Sequence, residues 1–230
     1  MSKILAITGK GGVGKSTIAA NLALSMLQYG VTPILVDANL ASPTIAWQFG
    51  TTKVPFGLQH VLKKQCSPEQ ALYKHSSGLL IMPASVSVHH KDATLDELPR
   101  ILEFAKKHAT MVIVDAPAGL CADTKNILKH ADDVLLVTTQ EFPTMLDALR
   151  TRSMHSQTRI VVNRATSQVN GVSLFLRAPL LGVVPEDTAV HDAMRLAQPV
   201  VFSHPESKIS HAFGLLAQNF LYQKCSPQKL

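Results

Sequence analysis

Residues 9–17 read GKGGVGKST, a spacing suited to holding phosphate. Gly9, Gly14, Lys15 and Ser16 fall in register with G-x-x-x-x-G-K-[ST]. Glycines let successive backbone N–H groups turn inward around phosphate oxygens, and a helix opening behind them adds partial positive charge. Backbone from Gly9 through Lys10, Gly11, Gly12, Val13 and Gly14 is therefore expected to line a nucleotide's phosphates. Lys15 should reach the β- and γ-phosphates, Ser16 should bind Mg2+, and Thr17 should hydrogen-bond the α-phosphate. Such a loop needs one lysine. Lys10, at its entry, is a second, expected to project across the loop mouth and not to serve its own phosphates.

The surrounding pattern says what positions this loop. Short apolar runs recur at 4–8, 32–37, 79–83, 111–115, 134–138, 159–163 and 180–184, most of them Val, Ile and Leu on both faces. Strands covered on both sides in a parallel sheet read this way. Helical periodicity lies between them, at 15–29, 57–64, 93–107, 123–131, 142–153 and 206–222. The alternation, without a linker, repeat or low-complexity stretch, predicts an α/β fold: one doubly wound, mostly parallel sheet flanked by helices over residues 1–230. Ligands in such sheets sit beyond the carboxyl ends of the strands. GKGGVGKST follows the first run, DANLASP (37–43) the second and DAPAG (115–119) the fourth, so three strands aim polar groups at one rim.

Composition narrows the classes. A chain of 230 residues, 46% hydrophobic and 17% charged, can bury a core and does not read as disordered. No apolar run approaches the ~20 residues that span a bilayer, and the N-terminus lacks a signal-peptide layout. Cys66, Cys121 and Cys225 form no CxxC pair, which argues against a disulfide framework or zinc knuckle and for a cytoplasmic setting. The formal charge of +6 raises non-specific DNA as a partner. Its longest basic cluster, Arg150, Arg152 and Arg159 with Arg164 nearby, is loose.

Lys10 through Thr17 also match K-G-G-x-G-K-[ST], the signature of the deviant-Walker ATPases of the MinD/ParA group, and the chain resembles that family, archaeal MinD-like members in particular. The resemblance implies a P-loop NTPase fold, ATP and Mg2+ as cofactors, and an ATP-sandwich homodimer in which Lys10 crosses to the partner's phosphates. It places the first switch at VDANLASPT, with Asp37 orienting the attacking water or a water on Mg2+. The second switch falls at VIVDAPAG, with Asp115 beside Mg2+ through water, and Pro117 and Gly119 shape a loop that responds to the γ-phosphate. Many relatives read D-x-D at the first switch, whereas Asn39 stands here; archaeal MinD-like members carry a similar DANL form. Asparagine cannot act as a base, so catalysis rests on Lys10, Lys15 and Asp37. By the same resemblance Asn163 reads the adenine edge, and Pro185, Glu186 and Asp187 line the base pocket.

The implied activity is slow, partner-stimulated ATP hydrolysis used as a positioning switch in cell division, chromosome or plasmid partition, or placement of a cellular assembly. The tail NFLYQKCSPQKL (219–230) offers few basic and apolar residues, so direct membrane anchoring is not expected. Rival readings are an ATP-dependent DNA-binding dimer with little catalysis, an iron–sulfur-related ATPase using Cys121 near the dimer axis, and a small-molecule ligase of the dethiobiotin synthetase kind. One cysteine per subunit falls short of the usual four cluster ligands. No further substrate motif supports the ligase.

Overall fold

The computed structural model describes residues 2–51, 53–86 and 93–222. The tail from 223 onward, with Cys225 and Pro227, lies outside the described residues. Eight strands form one sheet: β1 (Lys3–Thr8), β2 (Pro33–Asp37), β3 (Tyr73–Lys74), β4 (Leu80–Met82), β5 (Met111–Asp115), β6 (Asp133–Thr138), β7 (Thr158–Ala165) and β8 (Leu180–Pro185). Their spatial order is β3-β4-β2-β5-β1-β6-β7-β8, and every pairing is parallel except β3 on β4. All seven expected strands are present, within one or two residues of their predicted ends. The two-residue edge strand β3 is the addition.

Ten α-helices accompany the sheet among the described residues: α1 (Lys15–Leu27), α2 (Ile45–Gln48), α3 (Leu58–Leu62), α4 (Leu98–His108), α5 (Ala122–His130), α6 (Phe142–Arg152), α7 (Val172–Leu176), α8 (Ala189–Arg195), α9 (Val200–Ser203) and α10 (Lys208–Tyr222). None is long and apolar enough to cross a membrane. The short helices α2, α7, α8 and α9 were not expected from periodicity, and α1 stops at Leu27, two residues before the predicted end.

Alternation along each central strand sends side chains to two faces. Leu5 and Ile7 of β1 pack with α1 and α10, through Ile18, Leu22, Met26 and Phe213. Ile4 and Ala6 face the other layer, with Leu58 of α3, Ile101 of α4 and Ile127 of α5. A third cluster, with Leu136, Ile160 and Val162, seats α6 and α7 against the β6–β8 edge through Ala148 and Leu176. Burying a Leu, Ile or Phe contributes about 1.5–3 kcal/mol each, so the central strands are held rigidly where their carboxyl ends carry the polar loops.

The basic cluster anticipated around Arg159 is not one surface. Arg159 is buried, with its guanidinium Nη2 3.0 Å from Asp133 Oδ1 and its Cζ 4.1 Å from the Phe220 ring centroid. A desolvated guanidinium needs that carboxylate. Arg150, Arg152 and Arg164 remain on the outer side.

Candidate nucleotide site

The loop after β1 depends on two glycines for different reasons. Gly9 has φ +146°, and a Cβ there would run into the Val137 carbonyl oxygen of β6. Gly14 has φ +92°, directly precedes α1, and would press any Cβ onto the Asn163 amide. A left-handed residue at the helix entry turns the chain sharply, and α1 begins with no side-chain cap. Its first N–H groups are thus left for an anion, with the positive end of the helix dipole behind them. Gly9, Gly11, Gly12 and Val13 belong to the loop that leads into this helix entry.

The two lysines part company. Lys15 is 7% exposed, and its Nζ donates to the Lys10 carbonyl oxygen at 3.2 Å. Burial lowers its pKa, while the charges of Asp115 and Asp147 act in the opposite sense. Its ammonium is stored inside the loop, ready for a phosphate. The Lys10 side chain is exposed and lines a cavity of about 500 Å³ whose walls include Gly11, Gly12, Gln140, Glu141, Arg164 and Glu186.

Asp37 and Asp115 end adjacent strands and are register partners, both fully buried. Asp37 Oδ1 accepts the Asn39 N–H at 3.1 Å, and Oδ2 accepts the Ile45 N–H at 3.2 Å, which fixes the carboxylate plane. Asp115 Oδ2 accepts the Ser16 hydroxyl at 2.5 Å. Burial pushes the Asp37 carboxyl well above its ordinary value, reinforced by the charge of Asp115. Burial also lifts Asp115 to about 6, against the Ser16 hydrogen bond and the Lys15 charge. Two buried carboxylates side by side repel unless a proton or a cation offsets their charge.

Mg2+ fits this recess. Asp115 Oδ1 is buried and has no hydrogen-bond partner among the described residues, beside a hydroxyl and a second carboxylate. Hard oxygen donors, few in number, suit an ion that keeps several waters and phosphate oxygens. Among the described residues no group of three or more His, Cys, Asp or Glu could by itself hold a metal. Cys121 is exposed, with its Sγ 3.3 Å from Thr124 Oγ1.

The residues expected around a base also converge. Asn163, Pro185, Glu186 and Asp187 line a cavity of about 190 Å³ with Gly14, Thr17 and Phe213. The Asn163 side-chain amide donates to the Val13 carbonyl oxygen at 2.8 Å, so it braces the phosphate loop from β7. Asp187 Oδ1 accepts the Ala189 N–H at 2.9 Å at the start of α8. Sequence reasoning missed Arg164 here. It sits at φ +52° where β7 and β8 slip register, and it borders both cavities. Its place directly after Asn163 at a strand end was the available signal. Asp147 was missed too: it is half-buried, its Oδ2 is enclosed, and its charge acts on Lys15; its period on α6 with Thr144, Ala148 and Thr151 was the clue.

Comparison with known proteins agrees with this geometry. Residues 1–172 match the ParA family model, described as NUBPL iron-transfer P-loop NTPase. The chain is 30% identical over 232 residues to an uncharacterized ATP-binding protein of Methanocaldococcus jannaschii, covering 96% of this chain and 88% of that protein. It is 28% identical to the septum site-determining protein MinD of Bacillus subtilis, over 100% of this chain and 93% of that one. Among solved structures, the cell division ATPase MinD of Pyrococcus furiosus superposes with a TM-score of 0.90 at 26% identity, over 96% of this chain and 99% of that one. MinD of Pyrococcus horikoshii, complexed with Mg-ADP, gives 0.89 at 26% identity, covering 96% of each chain. The chain belongs to the ParA/MinD family of P-loop NTPases, and ATP with Mg2+ is the pair its loop and paired carboxylates are built to receive.

Proposed function

We propose that the whole chain, residues 1–230, works as one cytoplasmic ATP-driven switch. ATP brings two copies together with nucleotide between them, and slow hydrolysis releases them. The observation that carries this reading is the division of labour between the lysines: Lys15 is folded into its own loop, whereas the Lys10 side chain stands exposed at the cavity mouth. A cation exposed there is placed for a second molecule's phosphates. Glu141 and Glu186 share that cavity and shape the approach.

Within one site, Gly9 through Gly14 hold phosphate oxygens by backbone N–H, and Lys15 turns from the Lys10 carbonyl to the β- and γ-phosphates. Thr17 meets the α-phosphate, and Asn163 with Pro185, Glu186 and Asp187 bounds the base. Ser16 and Asp115, with Asp37 alongside, would hold Mg2+, whose role is to neutralise phosphate charge as the leaving oxygen departs. Asp37 orients the attacking water, its plane set by the Asn39 and Ile45 N–H groups. Asn39 takes no part in proton transfer; its Nδ2 donates to the Ser42 carbonyl at 2.8 Å. A site with one such carboxylate and an in-trans cation turns over slowly until a partner protein stimulates it.

Relatives named as septum site-determining proteins support a positioning role, which would serve division, partition or placement of an assembly. No membrane anchor is invoked. The reading is tested by sedimentation velocity of wild type and Lys10→Ala with ATP, ADP or no nucleotide. A dimer in ATP alone, lost in Lys10→Ala, supports it; a species independent of nucleotide overturns it.

A further inference from the structure

Asp37 takes part of its orientation from α2. Its Oδ2 accepts the N–H of Ile45, the first residue of that helix, at 3.2 Å, so a shift of α2 turns the carboxylate. A helix of four residues does not hold its own place. Contacts outside it must. Ile45 is buried in the layer that holds α1. Just past the far end of α2, the Phe49 ring stands edge-on to His75, with centroids 5.0 Å apart, and His75 meets Phe202 of α9 in the same way at 5.1 Å. Between these anchors, Trp47 and Gln48 close on Thr17 and Asn21 of α1 and on Val190 and Met194 of α8. The gap left among them is about 10 Å³, too small for more than one water.

The seat of Trp47 and Gln48 is also a wall of the base cavity. Thr17, Val190 and Met194 line the cavity of about 190 Å³ as well as the small gap, so one layer of side chains separates a base from α2. On the α1 side that layer is tied down. Asn21 Nδ2 donates to the Thr17 carbonyl oxygen at 2.8 Å, and Asn21 Oδ1 accepts the Val201 N–H at 3.0 Å. On the α8 side it is not: Val190 and Met194 are half-buried, and a base laid against them would complete their packing. Of the contacts that seat α2, this is the one a nucleotide alters.

We propose that Trp47 is a positioning residue for hydrolysis: resting on the Val190–Met194 wall, it lets a base seated behind that wall hold α2, and with it the Ile45 N–H, on Asp37. The base then contributes to turnover as well as to affinity, because the carboxylate is fixed only when the wall is backed. Trp47 borders the gap and not the base cavity, and it is 41% exposed, so shortening it leaves the base site and the core intact. The inference rests on the reading of Asp37 as the group that orients the attacking water.

Trp47 is the chain's one tryptophan, so its emission reports on this wall directly. Mg-ADP and Mg-pyrophosphate offer the loop the same two phosphates, with and without a base. At saturation of the full chain, ADP is expected to change the Trp47 emission and shield it from acrylamide, and pyrophosphate to leave both as they were. In phosphate-release assays, Trp47→Ala should lower kcat at least about tenfold and keep KM within about twofold, since a misplaced carboxylate costs rate and not binding. Trp47→Phe keeps a ring on the wall and should restore kcat to within about threefold of wild type. Both variants should still dimerise with ATP in sedimentation. An equal emission change with pyrophosphate overturns the proposal. So does a Trp47→Ala variant with wild-type kcat, or one whose loss lies in KM or in dimerisation. Asp37→Ala in the same assay reads the role of Asp37 separately: full turnover there strikes that role, while the emission titration still judges the wall.

Discussion

The paired carboxylates should make the nucleotide-free chain less stable as pH rises, and Asp115→Asn should remove much of that loss. Asp115 binds its proton more tightly in the folded chain, because burial lifts it from 3.8 to about 6. The folded state therefore holds an extra proton between those values, and by linkage its stability falls as pH climbs through that window. At about 1.36 kcal/mol per pH unit the whole effect is on the order of 3 kcal/mol, with about 1 kcal/mol of it between pH 5 and pH 8. Asparagine keeps an oxygen for the Ser16 hydroxyl and carries no charge. Without nucleotide at pH 8, Asp115→Asn should thus be more stable than wild type by about 1–3 kcal/mol, with a flatter profile. Urea unfolding followed by circular dichroism, from pH 5 to pH 8 in EDTA, measures both. Mg-ADP should stabilise wild type and leave the variant little changed. A variant less stable than wild type at pH 8, or a pH profile parallel to it, would refute the claim that the recess waits for a cation.

Other outcomes follow from single contacts. Asn163→Ala leaves the Val13 carbonyl without its donor, a loss of about 1–3 kcal/mol where a buried group goes unpaired; calorimetric titration should show ADP affinity down by about tenfold or more. Gly9→Ala drives a Cβ into the Val137 carbonyl, so fluorescent-nucleotide binding should disappear while the far-ultraviolet spectrum stays. At the opposite end of the sheet, Arg159→Ala takes from the buried Asp133 its 3.0 Å partner, leaves it Lys3 Nζ at 3.6 Å, and removes the contact with Phe220. It should destabilise by about 3–5 kcal/mol, yet leave nucleotide affinity unchanged at temperatures where the chain is folded.

Much of the site was legible because three apolar strands each end in a polar residue at one rim. That pattern survives without tertiary information: strand ends bring the loop after β1, Asp37 and Asp115 to one rim and the motif's spacing puts Ser16 in that loop, and the structure sets Ser16 on Asp115 and Asp37 beside it. What escaped depends on distant partners. β3 has only two residues; pairing with β4 and the Tyr73 hydroxyl, which accepts the Phe56 N–H and donates to the Phe56 carbonyl, hold it in place. The helices α8 and α9 are too short to show a period. Arg159 read as surface charge because its partner Asp133 lies on the neighbouring strand, not nearby in sequence. The loop-bracing bond of Asn163 to Val13 joins positions far apart in the chain, beyond the reach of any local motif.

The central claim is that one copy's Lys10 completes the other copy's site, and mixing two inactive variants tests it most directly. Lys10→Ala keeps Lys15, Asp37 and Asp115 but has no cation to offer its partner; Asp37→Ala keeps Lys10 but has lost its own water-orienting carboxylate. In an equal mixture, half of randomly assorted dimers pair the two variants, and each such dimer regains one working site. Phosphate release should then rise above either variant alone, toward an upper bound of about a quarter of the wild-type rate, reached where one Lys10 per pair is enough to hold the dimer. A mixture that turns over no faster than the mean of the two variants alone would contradict an in-trans Lys10.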